Sequence, residues 1–469
     1  MTKVTKNENN KRKQISWDLS YTGLLIFLLF RIPLTNIIGN EGNGYYFVSY
    51  EIFTIFYIVF GFGFHQISYE LIRKNTKRFS ADTKGRLFSL LLLFATISSL
   101  MGALIILCTS KVILAFLHVE LSIISLRLLA AWLVISTICG IFRGYFEGSG
   151  TRIPTAFSRI IEAIVAGSGS IIFASLLCKH GAKVGALLFN QQYNPAFGAS
   201  GIIVGLIFGS LFSFIFLFIV YQFYQSAQKS TPNSSVTKEL SKRTMIGDIF
   251  KTYVACLAGL LFMYSYHLFN MVLYILTLKK QVQEEQSELN ILSLIGSYHG
   301  KVLVLVGIVT LIILSICSNN ITKIKRNYNK KAYSNCWKYA FEDMKQISII
   351  SVPISIIYYI LAEKIMNLFY GKANLTEINF LKIGSFLIIF IPIAIYLYHV
   401  IQKLDLKLLG IILPMIAFAV QCVLMYVLVT TTNTRMLSIV IAEVVFWLAL
   451  LVLEIVVIMK EFGQILSKK

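Results

Sequence analysis

Charge is scarce in this chain: 14% of its 469 residues are Asp, Glu, Lys or Arg, against 57% hydrophobic. Mean hydropathy is +0.73. Soluble domains carry about a quarter charged residues, so no soluble class fits. Cysteine is sparse as well. The seven (Cys108, Cys139, Cys178, Cys256, Cys317, Cys336, Cys422) stand in or beside apolar runs, without close pairs or metal-ligand spacing. That argues against a disulfide scaffold or a metal module and leaves structural thiols. A phosphate-binding GxxxxGK[ST] loop is missing, as are a nucleophile triad, paired carboxylates and a metal-ligand cluster at workable spacing. ATP drive within the chain and enzyme chemistry on lipid therefore lack support, and no catalytic residue, cofactor or metal is expected. Acidic residues are outnumbered, 22 against 43 basic, for a net charge of +21. The basic residues are spread over loops rather than gathered on one soluble face, so no nucleic-acid partner is expected.

What the chain has instead is a series of apolar runs, each long enough to cross about 30 Å of hydrocarbon. They predict an all-α polytopic membrane protein with about 12 transmembrane helices. The first six lie near Tyr21 to Ile38, Tyr45 to Gln66, Leu87 to Cys108, Leu121 to Ile141, Thr155 to Cys178 and Gly201 to Tyr221. The second six lie near Ile249 to Leu276, Ile291 to Ile316, Ile347 to Tyr370, Ile378 to Ile401, Leu408 to Val429 and Met436 to Met459. With both termini inside, the basic stretches Arg73 to Arg86, Lys229 to Arg243 and Lys323 to Lys345 all fall on the cytoplasmic side. The polar, basic start MTKVTKNENNKRKQ has no cleavage site after it and reads as a retained tail. The stretch QSAQKSTPNSSVTKELSKRT reads as a linker between two bundles. The expected layout is a tail at 1–20, a six-helix lobe at 21–223, a linker at 224–248, a second six-helix lobe at 249–460 and a tail at 461–469. Six being even, any repeat relating the lobes is parallel, and two lobes around a central cavity is the architecture this favours.

Intramembrane charges are the candidate functional residues, because each is costly and usually faces a cavity. Arg31 stands in the middle of an apolar stretch that then breaks into the Gly-rich turn GNEGNG. Around it, RIPLTNIIGNEGNGYYFVSYEIFTIF, GFGFHQISYELIRK and FRGYFEGSGTRIPTAFSRIIEAIV resemble the first-lobe motifs of the MurJ/SpoVB-type polyprenyl-lipid flippases. That family sits within the superfamily of multidrug, oligosaccharidyl-lipid and polysaccharide exporters. The resemblance is carried by Arg31, Pro33, Gly39, Glu41, Gly42 and Gly44, and again by Arg143, Gly144, Tyr145, Gly148, Pro154, Ser158 and Glu162. It implies a plasma-membrane transporter that moves an undecaprenyl-diphosphate-linked sugar precursor, as in peptidoglycan or other polysaccharide biosynthesis, to the outer leaflet by alternating access. Pro33, Gly39, Gly42, Gly44, Gly144, Gly148 and Pro154 are then motif or hinge positions. The seventh helix departs from the family, lacking the proline and acidic residue expected there, and Glu51 replaces an uncharged residue in the second.

A headgroup with about two negative charges needs fixed cations, and arginine's planar fork suits phosphate. Arg31 is the strongest candidate; the structural alternative pairs it with Glu51 or Glu162. Arg127 either lines the cavity or snorkels to the outer interface. Arg159 and Glu162, three apart, share a helix face and can pair in cis or meet partners across the cavity. Lys301, beside Gly300, is the second lobe's candidate cation. Glu51 and Glu443 are coupling candidates for a proton or another monovalent cation, with His267 and His299 weaker; Glu454, near the inner end of its span, is expected to be solvated. Arg143 and Arg152 read as positive-inside anchors; the functional alternative is contact with lipid phosphates as the substrate enters. The aromatics read as interfacial belts or packing. The expected partners are a polyprenyl-diphosphate-linked glycan and membrane lipids, with the chain acting as a monomer. An ion-coupled multidrug or cation antiporter of the same superfamily is the alternative; a non-transporting scaffold would leave Arg31 and Lys301 without purpose.

Overall fold

The computed structural model describes residues 2–75, 81–229, 242–281, 286–317, 320–404, 406, 408–431 and 437–463. They form helices without a strand among the described residues: α1 (Thr2–Tyr57), α2 (Gly63–Asn75), α3 (Ala81–Leu117), α4 (Ile123–Gly148), α5 (Ile153–Leu187), α6 (Tyr193–Lys229), α7 (Lys242–Gln281) and α8 (Gln286–Ser297). There follow α9 (Leu303–Cys317), α10 (Ile321–Asn329), α11 (Tyr333–Ile360), α12 (Ala362–Tyr370), α13 (Leu375–Gly384), α14 (Leu387–Lys403), α15 (Leu409–Thr431) and α16 (Ser438–Gly463). π-helical turns at Ile58–Phe62 and Tyr298–Val302 join α1 to α2 and α8 to α9. The helix extends past both ends of the expected linker, since α6 reaches Lys229 and α7 begins at Lys242; residues 230–241 between them lie outside the described ones.

Ten of the described stretches are long and apolar enough to span a bilayer, and the pair α11 and α12, bent by 81°, makes an eleventh. The first stretch, Tyr21–Arg73, has 53 residues. At 1.5 Å per residue it would measure about 80 Å, far more than one crossing. Its break is at Gly39, where φ is 70° and ψ is −176°, a backbone conformation open to glycine and strained for any other residue. Up to the break the chain runs alongside α5: Gly23 abuts Arg159, Phe30 abuts Gly167, and Ile38 lies beside Gly198 at the start of α6. After it the chain runs with α4: Ser49 donates to the Ser122 carbonyl (3.2 Å), Gly61 abuts Thr137, and Ile72 packs on Gly148. Because α4 and α5 are antiparallel neighbours joined by a short turn, the two halves of the stretch are themselves antiparallel. Counting them separately brings the crossings among the described residues to twelve.

The chain divides into two compact units, Met1–Ile38 with Tyr45–Leu261, and Gly39–Gly44 with Phe262–Lys469. In the first, an aromatic core joins α2, α3, α4 and α6, with Phe88 stacked on Tyr221 (centroids 4.7 Å) and edge-on to Tyr145 (4.9 Å). In the second, α14 and α16 supply a fully buried apolar interior that includes Ala394, Leu397, Phe446 and Leu450. The six-residue turn belongs to this second unit because its backbone is seated directly on α8: a Cβ on Gly296 would lie 1.8 Å from the Asn40 carbonyl, and one on Gly44 would lie 2.2 Å from that of Leu292.

We expect Gly39→Ala to lower stability by about 1–3 kcal/mol, the cost of holding a Cβ at this backbone conformation. Nothing lies within 4 Å of the added methyl, so the penalty is conformational rather than steric. Thermal unfolding of the purified protein in detergent checks it against Gly247→Ala, a helical position with equal space and no positive φ. Equal melting temperatures for the two variants would remove the strain argument.

Candidate functional site

In the first unit, Arg31 is 3% exposed, held on α1 two residues before Pro33. Proline has no amide hydrogen, so the Leu29 carbonyl loses its usual intrahelical donor one turn earlier. The guanidinium lies 4.6 Å from the centroid of Tyr46 and 5.3 Å from that of Phe47. Aromatic faces there replace part of the water that a cation gives up on burial. Tyr46 is within electrostatic reach of both Arg31 and the buried Glu51.

A second polar cluster sits between α4, α5 and α6. Arg143 Nη2 donates to Glu162 Oε2 (2.5 Å) and to Ser213 Oγ (2.8 Å), while its Nε donates to Ser158 Oγ (3.0 Å). Ser210 Oγ donates to the other carboxylate oxygen (2.5 Å) and accepts from Trp132 Nε1 (2.8 Å). Arg143 is therefore the centre of a hydrogen-bonded network that joins α4, α5 and α6. Hydropathy put it past the end of the fourth span, and α4 runs on beyond it to Gly148. Glu162 pairs with Arg143 instead of its own-helix neighbour Arg159, whose guanidinium lies within electrostatic reach of Arg143, Glu147 and Glu162. Arg127 lies apart from this cluster, exposed near the start of α4, with Nε donating to Ser110 Oγ (3.3 Å). Gly144 and Gly148 let α2 approach α4, the nearest α2 atoms being the His65 carbonyl oxygen and the Ile72 side chain, and Pro154 occupies the first turn of α5.

In the second unit Lys301 stands in the π turn Tyr298–Val302, which is closed by the Leu303 amide donating to the Tyr298 carbonyl. Such a turn is costly and concentrates at functional positions. Lys301 Nζ donates to Glu377 Oε1 (2.6 Å), and the Lys301 carbonyl accepts from Tyr370 OH (3.3 Å). Asn40, from the seated turn that also holds Gly42, donates to the same Glu377 oxygen (2.8 Å). Glu377 escaped the sequence reading although a signal was present: Asn374 and Glu377 have the spacing of an N-terminal capping box, and the Asn374 amide does donate to Glu377 Oε2 (3.4 Å). Glu443 accepts from Tyr298 OH (2.7 Å) and Tyr266 OH (3.3 Å), the latter in turn accepting from Trp447 Nε1 (3.1 Å). His267 and His299 face one another with centroids 5.7 Å apart, and Gln421 donates to Asn270. Glu454 is fully buried, with neither carboxyl oxygen hydrogen-bonded among the described residues. The expectation that it is solvated fails because the surrounding side chains leave it 0% exposed.

Each unit thus carries a set of charges among its spans, with an ion pair in each, Arg143–Glu162 in the first and Lys301–Glu377 in the second. The structure brings together Arg31 with Tyr46 and Phe47, Arg143 with Glu162 and Arg159, and Lys301 with Glu377. These arrangements can hold anionic and polar groups within a membrane, and none supplies a nucleophile with an activating base.

The sequence profile of the polysaccharide biosynthesis protein family matches residues 15–282. No curated protein sequence matches the chain. The fold is similar to that of a multidrug resistance MATE family transporter of the MOP superfamily in its inward-facing conformation, with a TM-score of 0.70 and 14% identity over 95% of this chain and 96% of that one. It is also similar to MATE in complex with MaL6, at TM-score 0.63 and 15% identity over 98% of this chain and 97% of that one. A MOP superfamily transporter from Pyrococcus furiosus, described by the reverse polarity of its binding pocket, aligns at TM-score 0.62 and 15% identity over 96% of each chain. At such identities the structural likeness speaks for the fold alone.

Proposed function

The chain belongs to the polysaccharide biosynthesis protein family and is a multi-pass membrane transporter rather than an enzyme, and on that premise we propose that it flips a polyprenyl-diphosphate-linked glycan across the cell membrane. The observation that carries the reading is Arg31, a mid-span guanidinium removed from water and backed by two aromatic rings. A diphosphate is the ligand such a group fits best, since its oxygens accept two parallel hydrogen bonds from one fork. In this reading Arg31 meets the diphosphate, Arg159 and Arg127 attract it toward the first lobe, and Lys301 contributes once its pair with Glu377 opens. Glu443 and Glu51 are the coupling carboxylates, both termini are cytoplasmic, and alternating access carries the headgroup across. An ion-coupled antiporter is the second reading, since the fold that the chain shares with MATE transporters over nearly its whole length fits it equally.

The test is rescue of cells depleted of their lipid-linked peptidoglycan precursor flippase, scored by precursor exposed on the outer leaflet. Rescue is the expected result. No exposure despite membrane expression, together with extrusion of cationic dyes, would favour the antiporter.

A further inference from the structure

Aromatic residues recur along one face of the second span at Tyr46, Tyr50, Phe53 and Tyr57, separated by four, three and four residues. On a helix these spacings keep them in one stripe about 16 Å long. Tyr46 and Tyr50 stack with centroids 5.5 Å apart, and Phe53 and Tyr57 with centroids 5.6 Å apart. Trp132 of α4 joins the ladder, offset-stacked on Tyr57 at 5.9 Å and 22°, and 5.3 Å from Phe53. Arg31 sits over the Tyr46 end. The Trp132 and Tyr57 end meets the Arg143–Glu162 network, because Ser210 accepts from the indole and donates to Glu162.

Packing accounts for Tyr46 and Phe53, which are buried, but Tyr50, Tyr57 and Trp132 keep accessible surface. So does the ion pair beside them: 13% of the Arg143 side chain and 21% of the Glu162 side chain are accessible, although α4, α5 and α6 all contribute to the network around them. Broad aromatic faces, one fixed in plane by its N–H bond, thus adjoin a charge-neutral pair of donors and acceptors that keeps part of its own surface accessible. A neutral pair does not select for an anion or a cation. It suits a ligand with an apolar face and hydroxyl edges.

We infer that Trp132 and Tyr57, together with the Arg143–Glu162 pair, form a subsite for a neutral sugar ring of the transported headgroup. The ring lies with its C–H face on the aromatic pair, and its hydroxyls reach Glu162 as acceptor and Arg143 as donor. Arg31, at the other end of the ladder, takes the diphosphate. This inference rests on the flippase reading and adds to it where the glycan is read.

The experiment measures binding of two lipids to the full-length protein in nanodiscs: undecaprenyl diphosphate, and undecaprenyl diphosphate bearing an N-acetylglucosamine-containing disaccharide. Wild type should bind the glycosylated lipid roughly tenfold more tightly than the bare one, a ratio that one well-placed ring contact provides. Trp132→Leu and Tyr57→Leu should each bring the ratio toward one, while Trp132→Phe, which keeps a ring face, should retain most of it. An unchanged ratio in both leucine variants, or a wild-type ratio of one with both lipids bound through Arg31, overturns the subsite and leaves the flippase standing. Absence of binding to either lipid by wild type overturns both.

Discussion

Replacing Arg31 with alanine should reduce transport by roughly 30-fold to several thousandfold, the equivalent of about 2–5 kcal/mol for truncating one partner of a desolvated charge contact. The protein should still fold and insert. Its guanidinium is not required as filler, since the cation–π contacts with Tyr46 and Phe47 are worth only about 0.5–2 kcal/mol. Arg31→Lys separates charge from geometry: the ammonium keeps the charge but cannot present two parallel donors to a phosphate, so transport should be partial. Flipping in proteoliposomes, normalised to reconstituted protein, is the measurement. Wild-type rates for the alanine variant would remove Arg31 from the mechanism.

Removing Glu377 should have the largest effect on stability. Both members of its pair with Lys301 are buried, their side chains only 11% (lysine) and 5% (glutamate) accessible, so Glu377→Ala leaves an ammonium without its counter-charge inside the protein. The expected cost is about 3–5 kcal/mol, and replacing both partners with Lys301→Met and Glu377→Leu should recover most of it, because two apolar groups leave no charge stranded. The glutamate variant also deprives Asn40 of its acceptor. Denaturation in detergent across the double-mutant cycle gives the coupling directly; additive effects would mean that the pair is not a unit.

Hydropathy made the crossings legible, and the glycine-rich turn at residues 39–44 marked where the first two separate, because span length and glycine's backbone freedom are local properties. The bend between α11 and α12 is not local. Leu361 offers no proline or glycine there, and the 81° change of direction depends on the structure around it. The π turns were equally silent, as nothing in Tyr298–Val302 forbids an ordinary α-turn. Charges were found where they interrupt apolar runs, yet their partners were not. Lys301 meets a carboxylate 76 residues away, and Arg143 reaches residues 15, 19 and 70 positions distant. Helical spacing left Glu162 either Arg159 or a partner on another helix, and its ion pair is with Arg143 of α4.

Loops between membrane spans are the usual places to put an epitope or a reporter, since most accept inserted sequence at little cost. The turn at Gly39–Gly44 is an exception. At Gly44 it meets α8 backbone against backbone, where an added Cβ would fall 2.2 Å from the Leu292 carbonyl oxygen and has nowhere to go. The short connection between α5 and α6 is the opposite case: Phe189 at its tip is 98% exposed. Tags for mapping the sidedness of the first lobe therefore belong after Leu188, and loss of function from a tag in the first turn would report a broken seat rather than a blocked substrate path.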